Sequence, residues 1–85
     1  MDKQKITVRV AGKEYALVSS DSPEHLSRVA AYVDRQITET VFATRLPKET
    51  VTVLVAMNIT DELMKARDEN SRLRRELDAL RAKNS

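Results

Sequence analysis

The fold of this chain is decided by residues 56–80, AMNITDELMKARDENSRLRRELDAL, in which apolar positions recur at alternating steps of three and four. This spacing is typical of a heptad repeat, the seam of a left-handed coiled coil. We take every seventh residue from Leu63 as an a position and every seventh residue from Ala66 as a d position. The predicted seam comprises Ile59, Leu63, Ala66, Asn70, Leu73, Leu77 and Leu80.

The residues that flank this seam carry one sign of charge on each side. The g positions are Glu62, Glu69 and Glu76, and the e positions are Arg67, Arg74 and Arg81. In a parallel pair of helices each g residue faces the e residue five positions later on the partner, so every flanking pair is attractive. An antiparallel two-stranded pair would set glutamate against glutamate and arginine against arginine. Each exposed pair contributes only about 0.3–0.5 kcal/mol, but all of them favour one orientation, and the sequence predicts a parallel homodimer.

Asn70 occupies an a position inside the seam. A buried asparagine there lowers stability and favours two strands in register over larger bundles. Two alternatives stay open on the seam alone. One is a single amphipathic helix packed on its own domain, although so short a chain has little else to cover the distal turns. The other is a four-stranded association of two dimers.

Upstream of the heptads, residues 50–55, TVTVLV, alternate in polarity and are rich in β-branched residues. On propensity alone they suit a strand as well as a helix. No turn signal separates Glu49 from the helical run that begins by Ile59, whereas Pro47 suits the start of a helix. We therefore predict one helix over residues 48–82, which at 1.5 Å per residue would be roughly 50 Å long.

The N-terminal part predicts a β-hairpin and a helix. Residues 5–10 and 14–18 have the composition of strands, and Gly12, the only glycine, falls where a two-residue turn needs positive φ. Ser22 is a good N-cap for a helix with proline in its first turn, and apolar residues at helical spacing predict this helix over residues 23–43.

Together these elements predict an α+β protein with an N-terminal β-hairpin and a short helix, then a long C-terminal helix that forms a parallel coiled coil. Residues 1–58 would form a globular head and residues 59–85 a coiled-coil tail. An isolated two-stranded hairpin is marginal in water, so we expect the helix and the strands of a partner subunit to complete it.

The composition argues against several classes of function. The 85 residues include no cysteine and one histidine, so we expect no disulfide, no metal and no cofactor. The 15 Lys and Arg nearly balance the 13 Asp and Glu, which argues against nucleic-acid binding. No stretch approaches the roughly 20 apolar residues that span a bilayer. The N-terminus lacks the apolar core of a signal peptide, so we expect a cytoplasmic protein that binds no membrane.

Neither an active site nor a DNA-binding zipper is indicated. His25 is isolated, with no triad, metal cluster or phosphate loop in the sequence, so we predict that the protein is not an enzyme and has no small-molecule substrate. Arg72, Arg74 and Arg75 lie within a zipper-like helix, but DNA-binding zippers place a dense basic run before the heptads. Here the preceding residues, 51–59, are apolar.

A family resemblance is carried by residues 53–63, VLVAMNITDEL, which resemble the A-A-L-N-I-A-D-E-L signature of the bacterial cell-division protein ZapA family. Residues 8–15, VRVAGKEY, are similar to the opening hairpin of that family, and residues 29–34, VAAYVD, to its first helix. The similarity runs in order through residues 5–64. It implies that residues 50–63 are helical and begin the long C-terminal helix.

The resemblance implies a non-enzymatic adaptor at the division site. Such a protein binds FtsZ, the tubulin-like GTPase that polymerises there, and cross-links its filaments into bundles, which promotes Z-ring assembly. In the family the heads pair by their globular domains, and two dimers often join tail to tail as a homotetramer. The tail of this chain is short, so the resemblance supports the dimer better than the tetramer. The resemblance places partner contacts at Lys13 and, less exactly, at Arg45, Lys48 and Glu49 between the helices.

A generic coiled-coil dimerisation module of another complex stays the alternative function. The two functions differ in what they require of the chain. The adaptor needs the charges of its head, whereas the generic module needs only its tail.

Overall fold

The chain contains two strands and two helices in a computed structural model that describes residues 2–84. Their order is β1 (Gln4–Val10), β2 (Lys13–Ser19), α1 (Pro23–Thr44) and α2 (Lys48–Asn84). The predicted hairpin and both predicted helices are confirmed, and each end lies within two residues of its predicted position. The chain divides into two compact units, one up to Val55 and one from Ala56 onward. The functional boundary between residues 58 and 59 stays a prediction.

The hairpin closes through a tight two-residue turn. β1 and β2 pair antiparallel, with Val10 opposite Lys13 at the turn. Ala11 and Gly12 lie between them, with φ of 55° and 82°, and two successive positive φ angles are what a type I′ turn requires. Glycine adopts this conformation freely, whereas an L-residue such as alanine gives up about 1–2 kcal/mol. Ala11 must therefore be stabilised by contacts from outside the turn.

Replacing Gly12 by alanine is expected to lower the free energy of unfolding by about 1–2 kcal/mol. A Cβ atom at Gly12 would meet nothing within 4 Å, so the loss would come from backbone strain alone. Urea unfolding followed by circular dichroism, at one fixed protein concentration, measures it. The matched control is Ala11→Gly, which removes strain and should be neutral or stabilising. An unchanged midpoint in Gly12→Ala would contradict the turn geometry.

One half of the hairpin packs against α1. Ile6 and Val8 point to the same face of β1 and are buried with Ala30 of α1. The β2 residues opposite them, Leu17 and Tyr15, are 41% and 47% exposed. α1 therefore covers the β1 half of this face more completely than the β2 half. The predicted completion of the hairpin by a helix is confirmed, and its completion by strands of a partner stays a prediction.

Specific caps mark both ends of α1. Ser22 is the N-cap, and its Oγ accepts a hydrogen bond of 3.1 Å from the backbone N–H of His25. At the other end Arg45 adopts the left-handed conformation, with φ of 60°, and its N–H donates to the carbonyl of Val41 at 2.8 Å. Glycine usually occupies this position. The left-handed residue ends α1 and leaves only a short connection to α2.

The first turns of α2 belong to the N-terminal unit. Val51 is fully buried and Val55 is 3% exposed, and these two residues lie one helical turn apart on the same face. The hydroxyl of Thr52 donates to the carbonyl of Lys48 at 2.8 Å, so the polar group of this side chain finds its partner within the helix. The strand-like composition of residues 50–55 is thus overridden by burial of one helical face.

Candidate functional site

A groove of about 410 Å³ lies beside the hairpin turn, and we call it the turn groove. Three of the four predicted contact residues, Lys13, Lys48 and Glu49, line it, and all three are exposed. The apolar part of its lining comprises Val8, Val10, Ala11, Tyr15, Leu17, Val33 and Ile37. The fold therefore brings residues from β2 and from the start of α2 around one apolar surface with charges at its sides.

Arg45 lies outside the turn groove and contacts a ring instead. Its guanidinium carbon is 5.4 Å from the centroid of the Phe42 ring, within the range of a cation–π contact. Phe42 is 77% exposed and lines a second groove, of about 340 Å³, together with Gly12 and Lys48. Because Lys48 lines both grooves, the four predicted contact residues occupy one continuous region of the head.

Two charged side chains hold the hairpin turn at Ala11. The N–H of Ala11 donates to Oδ1 of Asp34, on α1, at 2.7 Å. Its carbonyl accepts a hydrogen bond of 2.9 Å from Nζ of Lys48, in the first turn of α2. Both backbone groups of the strained turn residue are therefore satisfied by ionised partners from two different helices, and such charge-assisted bonds are stronger than neutral ones.

Asp34 and Phe42 are absent from the site residues that the sequence predicts. The bond of Asp34 to Ala11 joins residues 23 positions apart, and no local spacing reveals it. Phe42 follows Val41, the last residue of the apolar face of α1, and therefore falls off that face. Its place off that face is the only sign of it in the sequence, and a single exposed apolar residue is common on protein surfaces.

In the second unit the predicted seam is open to solvent in the single chain. Leu63, Leu73, Leu77 and Leu80 are 47%, 49%, 46% and 57% exposed. Ala66 and Asn70 are also exposed, and Ile59 is half-buried. A regular row of half-exposed leucines is unfavourable in water, which favours a partner helix over the seam. The coiled coil itself stays a prediction.

Charged residues on either side of the seam differ in their contacts within the helix. Arg72 donates to both g glutamates near it, from Nε to Glu69 at 3.0 Å and from Nη1 to Glu76 at 2.7 Å. The hydrogen bond from Arg72 to Glu69 holds the pKa of the Glu69 carboxyl below its usual value, against a smaller opposing effect of desolvation. Because the folded pKa is lowered, the stabilising contribution is present at neutral pH and is lost as the pH falls through that pKa.

The e arginines take no part in these intrahelical pairs. Among residues 2–84, the ion pairs of the helix join Lys65 to Asp61 and Arg72 to its two glutamates, and none engages Arg67, Arg74 or Arg81. Their guanidinium groups are therefore open to glutamates of a second helix, as the predicted parallel register requires.

Replacing Asn84, an a position one heptad beyond Leu77, by cysteine is expected to give a disulfide-linked dimer on mild oxidation. In a parallel pair the two thiols would face each other at a distance that a disulfide spans. In an antiparallel pair of fully overlapping tails they would be roughly 35–40 Å apart. The chain has no other cysteine, so the cross-link is unambiguous on a non-reducing gel. A monomer band alone would contradict the parallel orientation.

Other kinds of site find no support in the described part of the chain. Residues 2–84 hold no group of three or more His, Cys, Asp or Glu residues that could bind a metal ion. None of the helices in that range is long and apolar enough to cross a membrane.

The geometry defines a class of protein: a small α+β head with a charged turn region, followed by a long helix with an exposed heptad seam. Comparison with known proteins then gives the family. The family profile described as "Cell division protein ZapA" matches residues 6–85, and this chain belongs to that family. Membership supports a role in cell division.

Individual relatives agree with the family match. Over 78 residues the chain is 38% identical to the cell division protein ZapA of Geobacillus kaustophilus, covering 88% of this chain and 84% of the relative. Over 74 residues it is 39% identical to that of Geobacillus thermodenitrificans, covering 84% and 79%. A solved structure described as a ZapA mutant dimer from Geobacillus stearothermophilus superposes with a TM-score of 0.77 at 34% identity, covering 92% of each chain. The fold is thus that of the family.

Proposed function

We propose that this protein is a non-enzymatic cell-division adaptor that binds FtsZ polymers and cross-links them, which promotes Z-ring assembly at the division site in the cytoplasm. The observation that carries the proposal is the family match over residues 6–85, since FtsZ is the partner that resemblance to ZapA implies. The adaptor requires no cofactor, metal, nucleic acid, membrane or small-molecule substrate.

The proposed filament contact is the region around the hairpin turn, formed by Lys13, Arg45, Lys48 and Glu49. Support comes from their geometry, because three of them line the turn groove and Arg45 contacts Phe42 beside it. Apolar surface with charges at its rim is the composition of many protein interfaces. Contacts between exposed charges are screened by salt, so binding through this region should weaken as ionic strength rises.

Bundling requires at least two heads in one particle. The proposed particle is a parallel homodimer held by the seam from Ile59 to Leu80, and a dimer of dimers would carry four heads. The solvent-exposed leucines support pairing, as does the similar solved structure from Geobacillus stearothermophilus, which is a dimer. Once one head is bound, the second faces the neighbouring filament at a high effective concentration, so bivalency strengthens binding without new contacts.

Co-sedimentation with purified FtsZ polymers tests the proposal. FtsZ is assembled with GTP at low and moderate salt, with and without this protein, and the pellets are compared. We expect this protein in the FtsZ pellet and a larger pelleted fraction of FtsZ. If the protein stays in the supernatant at low salt, the filament assignment fails and a generic dimerisation module becomes the better account.

A further inference from the structure

Lys48 and Asp34 act on the same residue of the hairpin turn from opposite helices. Asp34 accepts from the N–H of Ala11 at 2.7 Å, and Lys48 donates to its carbonyl at 2.9 Å. We call this arrangement the turn clamp. Ala11 has φ of 55°, a conformation that L-residues rarely adopt, so it depends on such contacts more than glycine or asparagine would.

The turn clamp lies directly beside the proposed contact residue Lys13. Only Gly12 separates Lys13 from Ala11, and Lys13 begins β2 as the partner of Val10. Any change in the φ angles of the turn would therefore redirect Lys13 and alter the groove that it lines with Lys48. In addition, the ammonium group of Lys48 donates to the Ala11 carbonyl, so it is less available to bind a partner protein.

We infer that Asp34 and Lys48 are positioning residues, which hold the Ala11–Gly12 turn in its type I′ conformation so that Lys13 is presented to the filament. This inference rests on the proposed function, because the filament is the partner toward which Lys13 is oriented. It replaces the direct filament contact of Lys48 by an indirect one, through the bond of its ammonium group to the Ala11 carbonyl. It also adds Asp34, which bears the opposite charge, to the same site.

The test combines loss of the turn clamp with an independent repair of the turn. Asp34→Ala and Lys48→Met each remove one hydrogen bond, and each is expected to raise the Kd for FtsZ polymers about three- to tenfold in the co-sedimentation assay. Asp34→Asn and Lys48→Arg keep an acceptor and a donor, and should bind within about twofold of the wild type. Lys5→Met, which removes an exposed lysine of β1 outside both grooves, is the control for loss of charge.

Repair uses Ala11→Asn, because Asn-Gly forms a type I′ turn without outside help. Added to Asp34→Ala or to Lys48→Met, it is expected to restore the wild-type Kd. A direct electrostatic contact of Lys48 with the filament would not be restored by a change at residue 11. Amide hydrogen exchange of Ala11 provides a readout without FtsZ: protection should be present in the wild type and lost in Asp34→Ala.

Three results would overturn the inference. The first is an Asp34→Ala variant that binds as the wild type does, and the second is a Lys48→Met defect that Ala11→Asn leaves in place. The third is a wild-type Ala11 amide that exchanges as fast as an exposed one. Failure of the proposed function looks different, because then the wild type itself would not co-sediment. If the wild type does not bind FtsZ, the positioning role fails as well. Slow exchange of the Ala11 amide would still show that the turn clamp forms.

Discussion

Replacing Lys13 by glutamate is expected to abolish co-sedimentation with FtsZ polymers while the protein stays dimeric. Where the lysine faces an opposite charge, reversal changes the interaction by about 1–2 kcal/mol per head. Both heads of a bridging dimer contribute, so the loss counts twice and the apparent affinity should fall about 30- to 700-fold. Pelleting over a range of protein concentrations measures the affinity, and sedimentation velocity measures the dimer.

The matched control for this charge reversal is Lys5→Glu. Lys5 is an exposed lysine of the same hairpin, in β1 opposite Val18 and away from the turn. The Lys5→Glu variant should bind FtsZ as the wild type does if binding depends on the position of the charge and not on the total charge. Equal losses in the two variants would show a non-specific charge effect, and no loss in Lys13→Glu would remove Lys13 from the contact.

Replacing Leu73 by aspartate is expected to separate the tails and to weaken bundling. Burial of one leucine side chain contributes about 1.5–3 kcal/mol. Because each chain of the dimer contributes this d position, the free energy of tail association should fall by about 3–6 kcal/mol. The unpaired carboxylates in the seam would weaken the association further. In the Asn84→Cys background the disulfide cross-link should disappear. Light scattering of FtsZ with GTP should fall toward the level without this protein.

The control for the seam is Ser71→Asp, which places the same carboxylate on an exposed b position two residues earlier. It should keep the cross-link and the bundling activity. Because Leu73→Asp leaves the head intact, it also separates filament binding by the head from pairing of the tails. If its tails still cross-link, the seam assignment is wrong.

The heptad and the hairpin could be predicted because local spacing encodes them. The step of three and four from Ile59 to Leu80 specifies a helical stripe, and the lone glycine at position 12 marks a turn with positive φ. The structure of residues 50–55 could not be predicted from local composition alone. Their β-branched composition is compatible with two structures, and the helix is decided by burial of Val51 and Val55 in the N-terminal unit.

The turn region was harder to predict because it depends on contacts between distant residues. Spacing gives no reason for Ala11 or Arg45 to adopt positive φ, since neither is glycine or asparagine. In the case of Ala11 the conformation is supported by Asp34 and Lys48, which are far away in sequence. The resemblance singles out Lys48 as a contact residue, but only the geometry reveals its bond to the hairpin.

Electron microscopy of FtsZ polymers tests the cross-linking claim most directly. FtsZ is assembled with GTP, the wild-type protein is added at equal numbers of heads and FtsZ subunits, and the filaments are imaged with and without it. The proposed function predicts filaments joined side by side at a regular spacing, with density between them. Separate filaments, bare or decorated but never joined, would contradict it.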